Sequence, residues 1–483
     1  MPATLGGRAP PRGVCRGILL GSGTSSRKSG SRRRASGAEG WCGAHQRMHH
    51  LHRPLHKPVP VCAGAAGKGF EAITVETTVV PQTGSPLKRA SVWRLVPFLL
   101  ALGPGVIGLC ADNDAGGMLS YTVTGASHGL AWLLPALLLL GLPTFFVQAL
   151  ALRVAEATRL SYSKALIVRV GTPLARLEAA VLYALNLVIL VTEFVGMALA
   201  LSLAGVSRPV SAVATFGLVV ALTSSRVYPR IEQLLLRIAI GSLAFIPALL
   251  LVHHQDGALA QAFSARVPNR WFLLLALAGN TMAPWMIYWQ QNAVWAGEPR
   301  EPRQRRWDLA TGQIVMVVMA SAALLLGALT PGKAAAWASP VTWIVHDGGS
   351  ASGILFAVGL FDAGLLAACT ISLSSLWTLR EAMGRGAKQS GEAPNQGGWR
   401  ALHLLTLALA AAVVLWPNLA SGPLALWAQA LGAIWMPVSL VLLGLVASSQ
   451  RLMGGAAIGS RTKVLLGALA VGYLVLACLG VAG

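Results

Sequence analysis

The sequence predicts an all-α polytopic membrane protein of about 11 transmembrane helices, counted as runs able to cross a ~30 Å hydrocarbon core. Three observations carry this. Of 483 residues, 55% are hydrophobic and only 11% charged, whereas soluble domains run near a quarter charged. Apolar runs long enough to span recur from residue 95 to the C-terminal end. Basic residues collect in alternate connections between those runs, as membrane orientation requires.

Residues 1–90 precede the first run. They are rich in Gly, Ser, Arg and Pro, and their basic residues, Arg32, Arg33 and Arg34 among them, face only Glu39, Glu71 and Glu76. Such composition cannot bury a core. The segment reads either as a disordered basic tail or as sequence upstream of the true start codon, with Met48 a candidate start. Its apolar stretch around 17–20 is too short for a signal peptide. The cluster His45, His49, His50, His52 and His56 reads as incidental in such a tail. The formal net charge of +21 lies in this tail and between apolar runs, so it is topological and no nucleic-acid partner is expected. Cys15, Cys42 and Cys62 lie in the tail, and Cys110, Cys369 and Cys478 in apolar runs. Without CxxC or zinc spacing they read as unpaired small apolar residues.

The spans fall near 95–120, 129–152, 174–205, 208–224, 231–252, 270–295, 309–330, 353–379, 401–418, 424–447 and 463–482. With the tail inside, the inner connections hold Arg153, Arg159, Lys164, Arg169, Arg226, Arg230, Arg300, Arg303, Arg305, Arg306, Arg380, Arg385, Lys388 and Arg400. The outer ones hold only Arg208, Arg266, Arg270 and Lys333. A cytoplasmic N-terminus follows from that imbalance, and a cell (plasma or inner) membrane is the expected location.

The first span, GPGVIGLCADNDAGGMLSYT, carries Asp112, Asn113 and Asp114 beside Gly116 and Gly117. A carboxylate at mid-membrane costs several kcal/mol unless it is paired or faces a cavity, so it points to function. Glycines weaken a helix by about 1 kcal/mol each, which predicts unwinding at Gly116 and Gly117. Freed carbonyls beside a carboxylate make a hard-oxygen cation site. The sixth span, LALAGNTMAPWMIYWQQNAVW, sets Gly279, Asn280 and Pro284 close together, and the proline predicts a second break. Interrupted helices in matching places are the signature of an inverted repeat with a midplane site. Residues 91–252 and 268–447 would be the two halves of a 5+5 repeat, with 463–482 an added helix. Glu193 is a structural partner or a gating group, and Asp362 faces a cavity or lies near a membrane end. Gln429 alone would be a buried polar contact, and Met282 packing.

These residues resemble the Nramp family of divalent-metal transporters. GPGVIGLCADNDAGG is similar to the family's first helix with its Asp-Pro-Gly-Asn, and HGLAWLLPALLLLGLPTFFVQALALRVAEAT to its second. RVYPRIEQLLLRIAIGSLAFIPALLL is similar to the fourth loop and fifth helix, and WAQALGAIWMPVSL to the tenth. The resemblance covers roughly residues 95–450. It implies a leucine-transporter-like fold of the APC superfamily, with metal held between helices 1 and 6. Asp114 then matches the metal-binding Asp, Gly116 the motif's Gly, Ala111 and Asn280 carbonyl-donating positions, and Gln429 a tenth-helix Gln that approaches the ion in closed states.

The departures are informative. The motif's Pro is Ala115 and its metal-binding Asn is Gly117. The sixth-helix Met-Pro-His reads Ala283-Pro284-Trp285, and a later His falls on Gln290. In the third helix, the Asp linked to proton movement is Leu190, while Glu193 matches the Glu after it. Loss of the soft thioether at Ala283 removes discrimination in favour of iron(II) or cadmium, although Met282 lies one residue away. Gly117 for Asn implies a wider site suited to a partly hydrated ion such as magnesium. The pattern is similar to the Nramp-related magnesium transporters.

The expectation is a transporter of magnesium or manganese across the lipid bilayer, working by alternating access as a monomer, without cofactor and without required proton coupling. Asp112 and Asn113 would assist through water. A proton-coupled manganese or iron(II) symporter and an APC-type carrier of amino acids or other organic solutes are the alternatives. No metalloprotease pattern, nucleophile motif or phosphate-cradling loop supports an enzyme.

Overall fold

The computed structural model describes residues 102–482 apart from 128, 265–268, 333–338 and 386–391. The tail with its cysteines and histidines, together with Arg266, Lys333 and Lys388, lies outside the described residues. Among the described residues the chain is helical throughout, save an isolated antiparallel bridge between Val227 and Glu392.

Eleven spans are present among the described residues. The first is split into α1a (Pro104–Asp112) and α1b (Ala115–Ala126), and the sixth into α6a (Arg270–Thr281) and α6b (Pro284–Ala296). The others are α2 (Leu130–Thr158), α3 (Thr172–Ser202), α4 (Arg208–Thr223), α5 (Tyr228–Leu250), α7 (Pro302–Leu329), α8 (Ser350–Ala382), α9 (Trp399–Leu415), α10 (Ser421–Ala447) and α11 (Ser460–Ala482). Eight of the spans are long and apolar enough to cross a membrane unaided, α6 counted whole. The broken first helix and the shorter α4 and α9 occupy the remaining places.

Three boundaries differ from the sequence expectation by six residues or more, the second helix running on to Thr158 rather than ending near 152. The first helix begins at Pro104 and runs to Ala126 rather than ending near 120. Residues 95–101 of that expected span are outside the described residues. The seventh begins at Pro302, a turn and more before 309, because Gln304 Oε1 accepts from the Glu301 N–H and starts the helix among charged residues.

Burial sorts the helices. The apolar stretch of α6 is 83% buried, that of α5 and α11 only 28%, so α6 is central and the latter two peripheral. α8 lies along α3, α7 along both halves of α1, and α10 along α6a and α11. Leu142, Val213, Leu250 and Val464 stay exposed, an apolar exterior that only lipid would satisfy. α5 tightens to a 3-10 turn at Gly241–Ala244, where Ser242 donates to Asp362 of α8 at 2.8 Å. Asp362 therefore braces the 3-10 turn of α5. Between α1a, α5 and α7 runs an apolar groove of about 380 Å³, lined by Leu102, Val106, Cys110, Leu236, Ile240 and Val315.

Candidate metal site

Each break is made by a different chemistry. α1a ends at Asp112, Asn113 leaves helical geometry (φ −77°, ψ 55°), and Asp114 is extended (φ −68°, ψ 170°). Asp114 is the N-cap of α1b, its carboxylate accepting the Gly117 N–H. Aspartate is among the best residues for that position, so the helix parts at Asn113–Asp114. Gly116 and Gly117, expected to unwind, instead form the first turn of α1b. The next amide, Ala115 N–H, donates to Glu193 of α3 at 2.8 Å. That donor would otherwise close a helical bond to Ala111 O, so the Ala111 carbonyl is released.

In the sixth helix, Met282 (φ −154°, ψ 96°) and Ala283 (φ −94°, ψ 144°) form the extended link. The residue that would donate to Asn280 O is Pro284, which has no N–H. Thr281 O loses its helical partner as well, and is satisfied from α2 by Thr144 Oγ1 at 2.8 Å. Of the two carbonyls, Asn280's is the one left for another use.

The breaks meet at Asp114. Gln429 Nε2 of α10 donates to Asp114 Oδ1 at 3.0 Å, and Asn280 Nδ2 donates to Gly117 O at 2.8 Å. Asp112, Asn113, Asp114, Asn280 and Gln429 are each at most 3% exposed. The place is closed to solvent. Asn280 Oδ1 and Asp112 Oδ2 have no hydrogen-bond partner among the described residues. A buried acceptor left so costs about 1–3 kcal/mol. No group of three His, Cys, Asp or Glu is gathered among the described residues, so any ion here would rest on carboxylate, amide and carbonyl oxygens.

A protein-family model for Nramp, "Natural resistance-associated macrophage protein-like", matches residues 105–483. The chain belongs to the Nramp family. Among solved structures, an Eremococcus coleocola manganese transporter bound to an aromatic bis-isothiourea compound is similar, at 18% identity and TM-score 0.65 over 82% of this chain and 88% of that one. A substituted form of the same transporter gives 16% and 0.64 over the same shares. A comparison with curated proteins finds no match. The likeness extends to the whole fold, a 5+5 repeat with helices 1 and 6 broken, in a multi-pass integral membrane protein.

Within this Nramp chain, the residues expected at the site are not all gathered. Asp114, Gly117, Asn280 and Gln429 are, and Ala111 adjoins them along the chain. Glu193 binds the start of α1b and is bridged by Thr192 at 3.0 Å. Gly116 lies against Thr192. Asn113 is held away, its Nδ2 donating to Met316 O of α7 at 2.8 Å. The Asp112 carboxyl is approached by the Ala283 N–H, which links the two breaks. Gln290 is buried along α6b, beyond the helix start at Pro284.

One expectation is corrected. Gly117 does not widen the site, because a Cβ there would stand 2.6 Å from Asn280 Oδ1 and 2.9 Å from Asp114 Oδ1. The space is taken by the Asn280 amide. Sequence reasoning also missed Asp308, which sits just outside the span expected at 309–330. It accepts from Gly103, Gly105 and Val106 N–H at 2.6, 2.8 and 3.0 Å and so caps α1a. Glu232 with Arg300 at 2.6 Å and Trp289 Nε1 on Pro104 O at 3.0 Å close the same end.

Proposed function

We propose that this Nramp protein carries divalent cations, magnesium or manganese in the first place, across a cell membrane by alternating access. The observation that carries the reading is Asp114, a buried carboxylate set between two helix breaks whose Ala111 and Asn280 carbonyls have lost their helical donors. Oxygen ligands of this kind suit hard cations. Ala283 offers no thioether, which weakens any preference for soft ions. Gln429, turning its amide over, would present oxygen to an ion bound at Asp114 and close the site.

The tail-in orientation follows the positive-inside imbalance. Uptake then runs with an inside-negative potential, which favours a divalent ion by about 4.6 kcal/mol per 100 mV. Proton coupling is not required energetically. Glu193 favours one alternative, a proton-coupled symporter of manganese or iron(II), because it joins α3 directly to α1b beside Asp114. The protein would act as a monomer and without a cofactor.

The test is uptake into proteoliposomes of manganese, magnesium, calcium and cadmium, with a pH dye inside. Manganese and magnesium are expected to enter without acidification, and Asp114→Ala to abolish entry. Undiminished uptake by that variant refutes the site. Strong preference for cadmium refutes the hard-ion reading, and acidification that follows the metal establishes the symporter.

A further inference from the structure

Asn280 is fixed in one orientation. Its Nδ2 lies 2.8 Å from Gly117 O, and because a carbonyl only accepts, nitrogen must occupy that side of the amide. The side-chain oxygen is thereby turned the other way. There it and Asp114 Oδ1 flank a single point, 2.6 and 2.9 Å from where a Cβ on residue 117 would be. Asn280 is 1% exposed and its Oδ1 has no partner among the described residues. Asp114 Oδ1 is already engaged by Gly117 N–H and Gln429 Nε2. Two buried acceptors thus crowd the same side of Gly117, and neither can donate to the other. A cation is the species that turns such a pair into a favourable arrangement.

We propose that Asn280 is a two-oxygen ligand, giving the transported cation its side-chain Oδ1 as well as its backbone carbonyl, and that residue 117 is glycine to admit that side chain. This rests on Asp114 being the cation anchor. The added ligand is an amide oxygen, so it discriminates for hard cations and against soft ones. It also comes from α6a while Asp114 comes from the head of α1b. An ion bound between them ties the two broken helices together by side chains.

The geometry makes residues 117 and 280 mutually exclusive hosts for one amide, which supplies the test. Manganese and cadmium binding to purified protein in detergent is measured by calorimetry for wild type, Asp114→Ala, Asn280→Ala, Gly117→Asn and the double variant Gly117→Asn/Asn280→Ala, each checked for monodispersity. Asn280→Ala is expected to weaken manganese binding by about ten- to hundredfold, a loss that even outer-shell changes can cause, and cadmium binding by less. Gly117→Asn alone, with its Cβ driven into both oxygens, also loses manganese. The double variant, freed of the closer contact with Asn280 Oδ1 and left only with the 2.9 Å approach of Asp114 Oδ1, is expected to return within about tenfold of wild type, the two sites being strongly coupled neighbours. If Asn280→Ala aggregates, the double variant decides alone. Asn280→Ala binding manganese as wild type does, while Asp114→Ala binds none, overturns the inference and leaves the transport reading standing. A double variant no better than the single ones overturns it too. Wild type that binds no manganese overturns both.

Discussion

A carboxylate in a membrane interior survives only with donors around it, and Glu193 shows how the fold supplies them. Its Oε2 takes the Ala115 N–H that the broken helix orphans, and Thr192 donates to Oε1. Glu193→Leu leaves that N–H buried and unpaired, a cost of about 1–3 kcal/mol. Thermal unfolding in detergent should show the loss, whereas Glu193→Gln, which keeps an acceptor, should unfold close to wild type. Asp114 was legible as a residue with a special environment because a charged residue in an apolar run is costly unless paired or facing a cavity, and the structure places it as the buried N-cap of α1b. Asn280's side chain was not. Its importance depends on which way an amide turns and on what lies 163 positions earlier, and neither is written in local sequence.

Among the elements, the second break was readable and the first was misplaced by a few residues for one reason. Pro284 cannot be accommodated inside a helix, so sequence alone locates that break. At the first, two forces compete: glycine propensity at 116 and 117, and N-capping at Asp114. The cap wins, since it satisfies Gly117 N–H while glycine merely permits distortion. The seat of α1a was illegible, because Asp308 meets it across 203 positions. Asp308→Ala removes the acceptor of three backbone N–H groups. It should lower stability by at least about 1–3 kcal/mol, the cost of a buried donor left unpaired, and loosen α1a before any other helix, which hydrogen exchange on 103–112 would report. Gly279 is the equivalent point for α6a, where any Cβ would enter the Gln429 backbone carbonyl. Gly279→Leu should therefore separate α6a from α10 at a cost of about 1–3 kcal/mol and abolish manganese uptake in vesicles.

At the scale of the molecule, span count was the most legible feature because it needs only run length and charge alternation. Among the described residues, eleven spans stand where apolar runs predicted them, with central α6 distinguished from peripheral α5 and α11 by burial. In the proposed orientation, a carrier moving a divalent charge must feel the membrane potential. Uptake driven by a potassium diffusion potential should rise with inside-negative voltage, toward the ratio set by about 4.6 kcal/mol per 100 mV. Voltage-independent manganese accumulation would mean that the charge is compensated by another ion.

The groove between α1a, α5 and α7 also makes the chain its own reporter. Cys110 projects from α1a into that groove's lining, 1% exposed, while Cys478 near the end of α11 is exposed. Alkylation of the first thiol therefore requires α1a to leave its seat, whereas the second is not covered by protein. A rise in the Cys110 alkylation rate when cation is added or removed would then report, in the native sequence and with no introduced label, opening along that seam.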